Sequence, residues 1–112
     1  MRNPPKSREA EAGLIGSCLI DEASINVATD IKAEDFSQPA HRPIWSAIME
    51  LSGRGEAVDV LTVSDEMKRR GSLDEAGGYA ALADFSRQTP TSANVEQYAN
   101  IVRRTATLRR LL

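Results

Sequence analysis

The sequence predicts an all-α fold of about six helices, and three observations predict it. Apolar residues recur every three or four positions along most of the chain instead of alternating. Fifteen alanines favour helix. Only five aromatic residues among 112 leave a core of small and aliphatic side chains, and that length suits a single domain.

Each element has its own local justification. Pro4 and Pro5 keep residues 1–6 extended, and Ser7 caps a first helix running to about Ile20. Glu9 and Glu11 sit in its positive first turn, while Leu14, Ile15, Cys18 and Leu19 form its apolar stripe. Gly13 and Gly16 would each weaken a helix interior, so a close-packed neighbour is expected beside them. A short helix over about 22–29 offers Ile25 and Ala28 to the core. The third helix starts near Pro39, with Ile44, Trp45, Ile48, Met49 and Leu51 as its apolar face and Ser52-Gly53-Arg54-Gly55 as its end. Pro43 threatens a kink and delays the regular part to about that residue.

Val58, Val60, Leu61 and Val63 imitate a strand, but Asp59 as N-cap and Lys68-Arg69-Arg70 beside Gly71 give helix-type ends. That fourth helix carries the stripe Val60, Val63, Met67. Gly77-Gly78 open a fifth, with Tyr79, Leu82, Ala83 and Phe85 inward, ending before Gln88-Thr89-Pro90. The last helix begins at Ser92 or Asn94, where Asn94 and Gln97 have the spacing of a capping box. Tyr98, Ile101, Thr105, Leu108 and Leu112 then alternate by three and four, the pattern of a helix–helix seam. Neither Gly nor Pro closes this helix, so a longer parent protein is expected.

Composition narrows the function. A net charge of −2 and a pI near 5.4 lack the basic footprint of a protein that grips phosphates alone. No apolar run is long enough to span a membrane, and a single cysteine fits a reducing, cytoplasmic setting without disulfides or a Cys-based zinc site. The absence of GxxxxGK[ST] removes a phosphate loop from this segment, and Gly77-Gly78 reads as a helix entry rather than a dinucleotide loop. His41, the single histidine, has no nucleophile elbow beside it and reads as a hydrogen-bonded residue near a helix start. Cys18 reads as a buried structural thiol, Trp45 and Phe36 as core, and the Asp-Glu pairs at 21–22, 65–66 and 74–75 as solvated charge. One asymmetry remains: Arg103, Arg104, Arg109 and Arg110 give residues 101–112 a charge of +4 against −6 for the first hundred. They suit either a solvated face or phosphates and carboxylates, so a helical nucleic-acid-binding module is the alternative reading.

The ordered strings point to a family. Pro5-Lys6-Ser7-Arg8-Glu9-Ala10-Glu11, Leu14-Ile15-Gly16 and Leu19-Ile20-Asp21 resemble the opening of the amino-terminal domain of bacterial DnaB-type replicative helicases. Asp35-Phe36, His41-Arg42, Ile44-Trp45, Asp59 with Leu61-Thr62, Gly71-Ser72-Leu73, Gly77-Gly78-Tyr79, Thr89-Pro90, Ser92-Ala93-Asn94, Tyr98-Ala99 and Ile101-Val102-Arg103 continue it in order. Pro43 and Cys18 depart from the pattern.

The resemblance implies a compact orthogonal bundle over 7–112 whose last helix leads into a helical hairpin. It implies pairing of such domains and a collar on a hexameric ring. Primase would dock there through its carboxy-terminal domain, with a helicase loader as a further candidate partner. No catalytic, cofactor or metal residue is expected in these 112 residues. ATP, magnesium and DNA unwinding would belong to a motor domain absent from this sequence, within the cytoplasmic, nucleoid-associated replication machinery. The candidate oligomer or partner interface is Tyr98, Ile101, Thr105, Leu108 and Leu112, with Arg103, Arg104, Arg109 and Arg110.

Overall fold

The structure is a computed structural model that describes residues 7–112, so the expected extended segment 1–6 lies outside the described residues. Five α-helices follow in order: α1 (Arg8–Ile20), α2 (His41–Gly53), α3 (Val60–Arg70), α4 (Gly78–Arg87) and α5 (Val95–Arg110). Three 3₁₀ segments, Glu22–Val27, Ala33–Asp35 and Asp74–Ala76, lie between them, and the described residues contain no strand.

α1 begins where expected, with Ser7 Oγ accepting from the Ala10 amide at 3.3 Å. Asp21 ends it and at once caps the next segment, its carboxylate accepting from the Ala23 amide. The short second element is a 3₁₀ helix over Glu22–Val27 and not an α-helix to Thr29. Tight i→i+3 winding is the usual form of so short a piece. Ile25 and Ala28 are nonetheless buried as the pattern requires.

α2 starts at His41, two residues after Pro39. Pro43 is therefore its third residue, inside the first turn, where a missing N–H has no intrahelical partner to lose. The feared kink and late start do not occur. α3 is a helix as argued: Asp59 Oδ1 accepts from the Thr62 amide at 2.8 Å, and Thr62 Oγ1 accepts from the Asp59 amide at 2.9 Å. Gly71 closes it in the left-handed region at φ +76°.

α1 lies against α4 and α5, α2 against α3, and α3 against α4, so the core fills the space between two helix layers. Trp45 and Phe36 are fully buried with ring centroids 5.2 Å apart, and the indole N–H donates to the Ile31 carbonyl at 2.9 Å. Cys18 is buried too, and burial, helped by Asp21, pushes its thiol up to about 12.

The two α1 glycines mark the close approaches. A Cβ on Gly16 would lie 2.6 Å from the Phe85 carbonyl oxygen and 2.1 Å from Thr89 Oγ1. A Cβ on Gly13 would meet the Tyr98 ring at 2.7 Å.

Two sequence expectations change. Tyr79 is half exposed, leaving Leu82 as the buried anchor of α4. Asn94 makes no side-chain cap to α5, so its spacing to Gln97 does not produce a capping box.

Candidate partner interface on the last helix

α5 packs Ala99, Val102, Thr105 and Ala106 into the core, with Tyr98 and Ile101 half-buried at the edge. The buried face is therefore turned by roughly one residue position from the predicted line, since each residue advances about 100°. Of that line, Thr105 is interior, whereas Leu108 is 41% and Leu112 is 82% exposed. Leu111, which the pattern did not include, is 76% exposed. Leu108 is thus an exposed apolar residue on the last turns of α5, while Leu111 and Leu112 lie exposed just beyond the helix end at Arg110.

The four arginines do not act together. Arg103 grips Asp30 through Nε and Nη2, both at 2.8 Å, and also donates to the Val27 carbonyl. Arg109 donates to the Asp35 carbonyl at 2.6 Å, and Arg110 pairs with the Asp35 carboxylate. Arg103 holds Asp30 below the usual carboxylate range. Arg104 is exposed. Three of the four cations therefore bind the chain's own 27–35 segment, leaving that much less free charge for phosphates.

Two charged residues depart from the sequence reading: Glu66, taken with Asp65 as a solvated pair, and Glu11, taken as first-turn charge, are both buried. Glu11 is fully buried and accepts four hydrogen bonds: from the Ser37 amide (2.8 Å), Ser37 Oγ (2.6 Å), the Gln38 amide (3.2 Å) and His41 Nδ1 (2.8 Å). Burial alone would push its carboxyl up, but the bonds from His41, Ser37 and Gln38 together hold it below the ordinary value. An ionised Glu11 can only accept, so the proton of this contact sits on His41 Nδ1. On α3, Glu66 accepts from Arg54 (2.9 Å), Arg69 (2.5 Å) and Arg70 (2.8 Å). The Arg54 and Arg70 bonds lead in bringing its carboxyl down to about 2. Both clusters tie helices together: Glu11 joins α1 to the start of α2, and Glu66 joins α3 to the end of α2.

Among the described residues, no group of three or more His, Cys, Asp or Glu stands together to hold a metal ion, and no helix is long and apolar enough to cross a membrane.

The family model described as DnaB-like helicase N terminal domain matches residues 3–104, and the chain belongs to that family. It is 41% identical over 112 residues to the replicative DNA helicase DnaB of Geobacillus stearothermophilus, covering 99% of this chain and 25% of that protein. It is 37% identical to the replicative DNA helicase DnaC of Bacillus subtilis (strain 168), with the same two coverages of 99% and 25%. The crystal structure of the N-terminal domain of DnaB helicase from Mycobacterium tuberculosis superposes with a TM-score of 0.93 at 39% identity, over 97% of this chain and 76% of that one. The chain spans about a quarter of the length of the two curated relatives. The ordered motifs of the sequence anticipated this family.

Proposed function

We propose that this domain is a noncatalytic assembly and docking module of its helicase, pairing with identical copies to build a collar and offering that collar to primase. The observation that carries the reading is the apolar surface at the end of α5, where Leu108 on the helix and Leu111 and Leu112 just beyond it are exposed beside a helix face that is already buried. A helix with apolar residues on two sides has one face to give to another element or subunit. Unwinding driven by ATP and magnesium would be the work of the parent's motor. A loader, if one engages the parent, would compete for or share the collar surface.

Sedimentation velocity over a concentration series up to the high micromolar range tests self-association. The wild-type chain, or the parent's amino-terminal region extended beyond Leu112, should show a concentration-dependent dimer. Leu108→Glu with Leu112→Glu should remove the dimer while leaving the helical signal intact. A strict monomer in both lengths would overturn the assembly reading. Titration of labelled primase carboxy-terminal domain into the same two lengths then tests docking, and no binding to either would overturn that part.

A further inference from the structure

We propose that Arg103, Arg109 and Arg110 form an ionic latch that holds the carboxy-terminal turns of α5 against the 27–35 segment, and that opening the latch frees the end of this helix to swing. Because Leu108 belongs to the surface of the assembly proposal, the latch is read at protein concentrations below those at which a dimer would form. Arg103 and Arg110 are seven residues apart, two helical turns on one face, so both reach the same strip of chain. Arg103 bridges to Asp30 and the Val27 carbonyl, while Arg110 and Arg109 take the carboxylate and carbonyl of Asp35. Asp35 is itself held, its other oxygen accepting from the Lys32 amide at 2.9 Å.

At Arg103 the helix is also held by buried Val102, Thr105 and Ala106 on either side, but at Arg109 and Arg110 the contacts with Asp35 have no apolar burial beside them. Ala106 is the last buried residue of α5; Thr107, Leu108 and Arg110 are exposed and Arg109 is half-buried. Beyond Ala106 the helix is fixed by charge rather than by apolar burial. A groove of about 500 Å³, lined by Asp30, Lys32, Glu34, Asp35, Arg103 and Arg110, runs along the contact and admits water and ions to it. Contacts of this kind are open to screening, because the Debye length falls from ~10 Å at 0.1 M salt to ~3 Å at 1 M. The position of the last turn of α5 thus depends on ionic strength.

Paired nitroxide labels on Leu61→Cys and Leu108→Cys, both exposed positions, read the swing as a distance distribution by double electron–electron resonance. Cys18 stays unlabelled because it is buried and its thiol is pushed up to about 12. Labelled protein is diluted with unlabelled protein so that only pairs within one chain are read. A narrow distribution is expected near 50 mM salt, widening about twofold or more near 1 M, since screening rises over that range. Asp30→Asn with Arg110→Gln should give the wide distribution already at low salt, and Arg104→Gln should not. A reference pair on Leu61→Cys and Tyr79→Cys, on α3 and α4, should stay unchanged throughout. If the salt series on otherwise unaltered protein leaves the 61–108 distribution as narrow as the reference, the latch does not exist, whatever the variants do.

Discussion

Glu11 lies on the same helical stripe as Leu14, Ile15 and Cys18, and its carboxylate is shut away from water. A charge in that position is tolerable only because every lone pair in use meets a donor. Glu11→Gln keeps the shape but turns one acceptor oxygen into an amide NH2 donor that faces other donors. The expected loss is roughly 2–4 kcal/mol, read from urea unfolding at pH 7. Since the folded carboxyl sits below its unfolded value, its contribution is complete above the ordinary carboxylate range and fades as pH falls through the lowered value. The variant should therefore approach wild type in stability as the pH drops. A gap of constant size from pH 7 to the acid limit would show that the ionised form is not the stabilising one.

Gly16 poses the opposite problem, one of space. Substituting Ala would gain up to ~1 kcal/mol of helix propensity, but the new methyl meets a backbone carbonyl that cannot step aside. Overpacking of this kind costs about 1–3 kcal/mol, so Gly16→Ala should lower the urea midpoint. Gly13→Ala should cost less, because its obstacle is the half-buried Tyr98 ring, which can turn. Equal behaviour of the two variants would contradict this account of the α1–α4 approach.

At the scale of elements, α2 and α3 are joined by apolar contact and by Arg54 at the end of α2, which reaches Glu66, while Arg69 and Arg70 hold the same carboxylate from within α3. Glu66→Gln should lower the thermal midpoint at pH 7. Its carboxyl is depressed from 4.5 to about 2, so the stabilisation is whole above 4.5 and disappears as the pH falls toward 2. Differential scanning calorimetry of both proteins across pH 2–7 should show the two midpoints converging only at the acid end. Convergence already near pH 4 would mean that the arginines do not hold Glu66 ionised.

Most elements were legible because their ends carry explicit chemistry: Ser7 before α1, Asp59 and Thr62 at the start of α3, Gly71 after it. The departures arise where local signals compete with tertiary ones. Residues 22–29 are too short to gain from α-winding, and the Asn94 side chain does not close its apparent box. The buried carboxylates were hidden in plain helical arithmetic. Glu11 and Glu66 each fall on an apolar stripe, and a charge there signals a buried ion pair more than a helix-dipole effect.

For the molecule as a whole, the uncertain feature in the sequence was the basic end of α5, which suited both a partner-facing helix and a phosphate-binding one. Spacing alone could not reveal that Asp30 and Asp35, more than 60 residues earlier, take up Arg103 and Arg110. Nor could it show that the core face of α5 is rotated off the Tyr98–Leu112 line, because Ala99 and Ala106 contribute little to a hydrophobic pattern yet are buried. These pairings weigh against autonomous nucleic-acid binding, since a cation already committed to a carboxylate must break that contact before it meets a phosphate. The net charge of −2 adds a general repulsion. Fluorescence anisotropy with a labelled single strand should therefore detect no binding tighter than the non-specific range of ~10⁻⁴ M at physiological salt. Lowering the salt should not rescue it, because weak screening also strengthens the Arg103–Asp30 and Arg110–Asp35 pairs that compete with the strand. A steep salt slope of about 2 or more, abolished by replacing Arg103, Arg104, Arg109 and Arg110, would instead mean that the latch yields to the polyanion and that α5 is a DNA-facing helix.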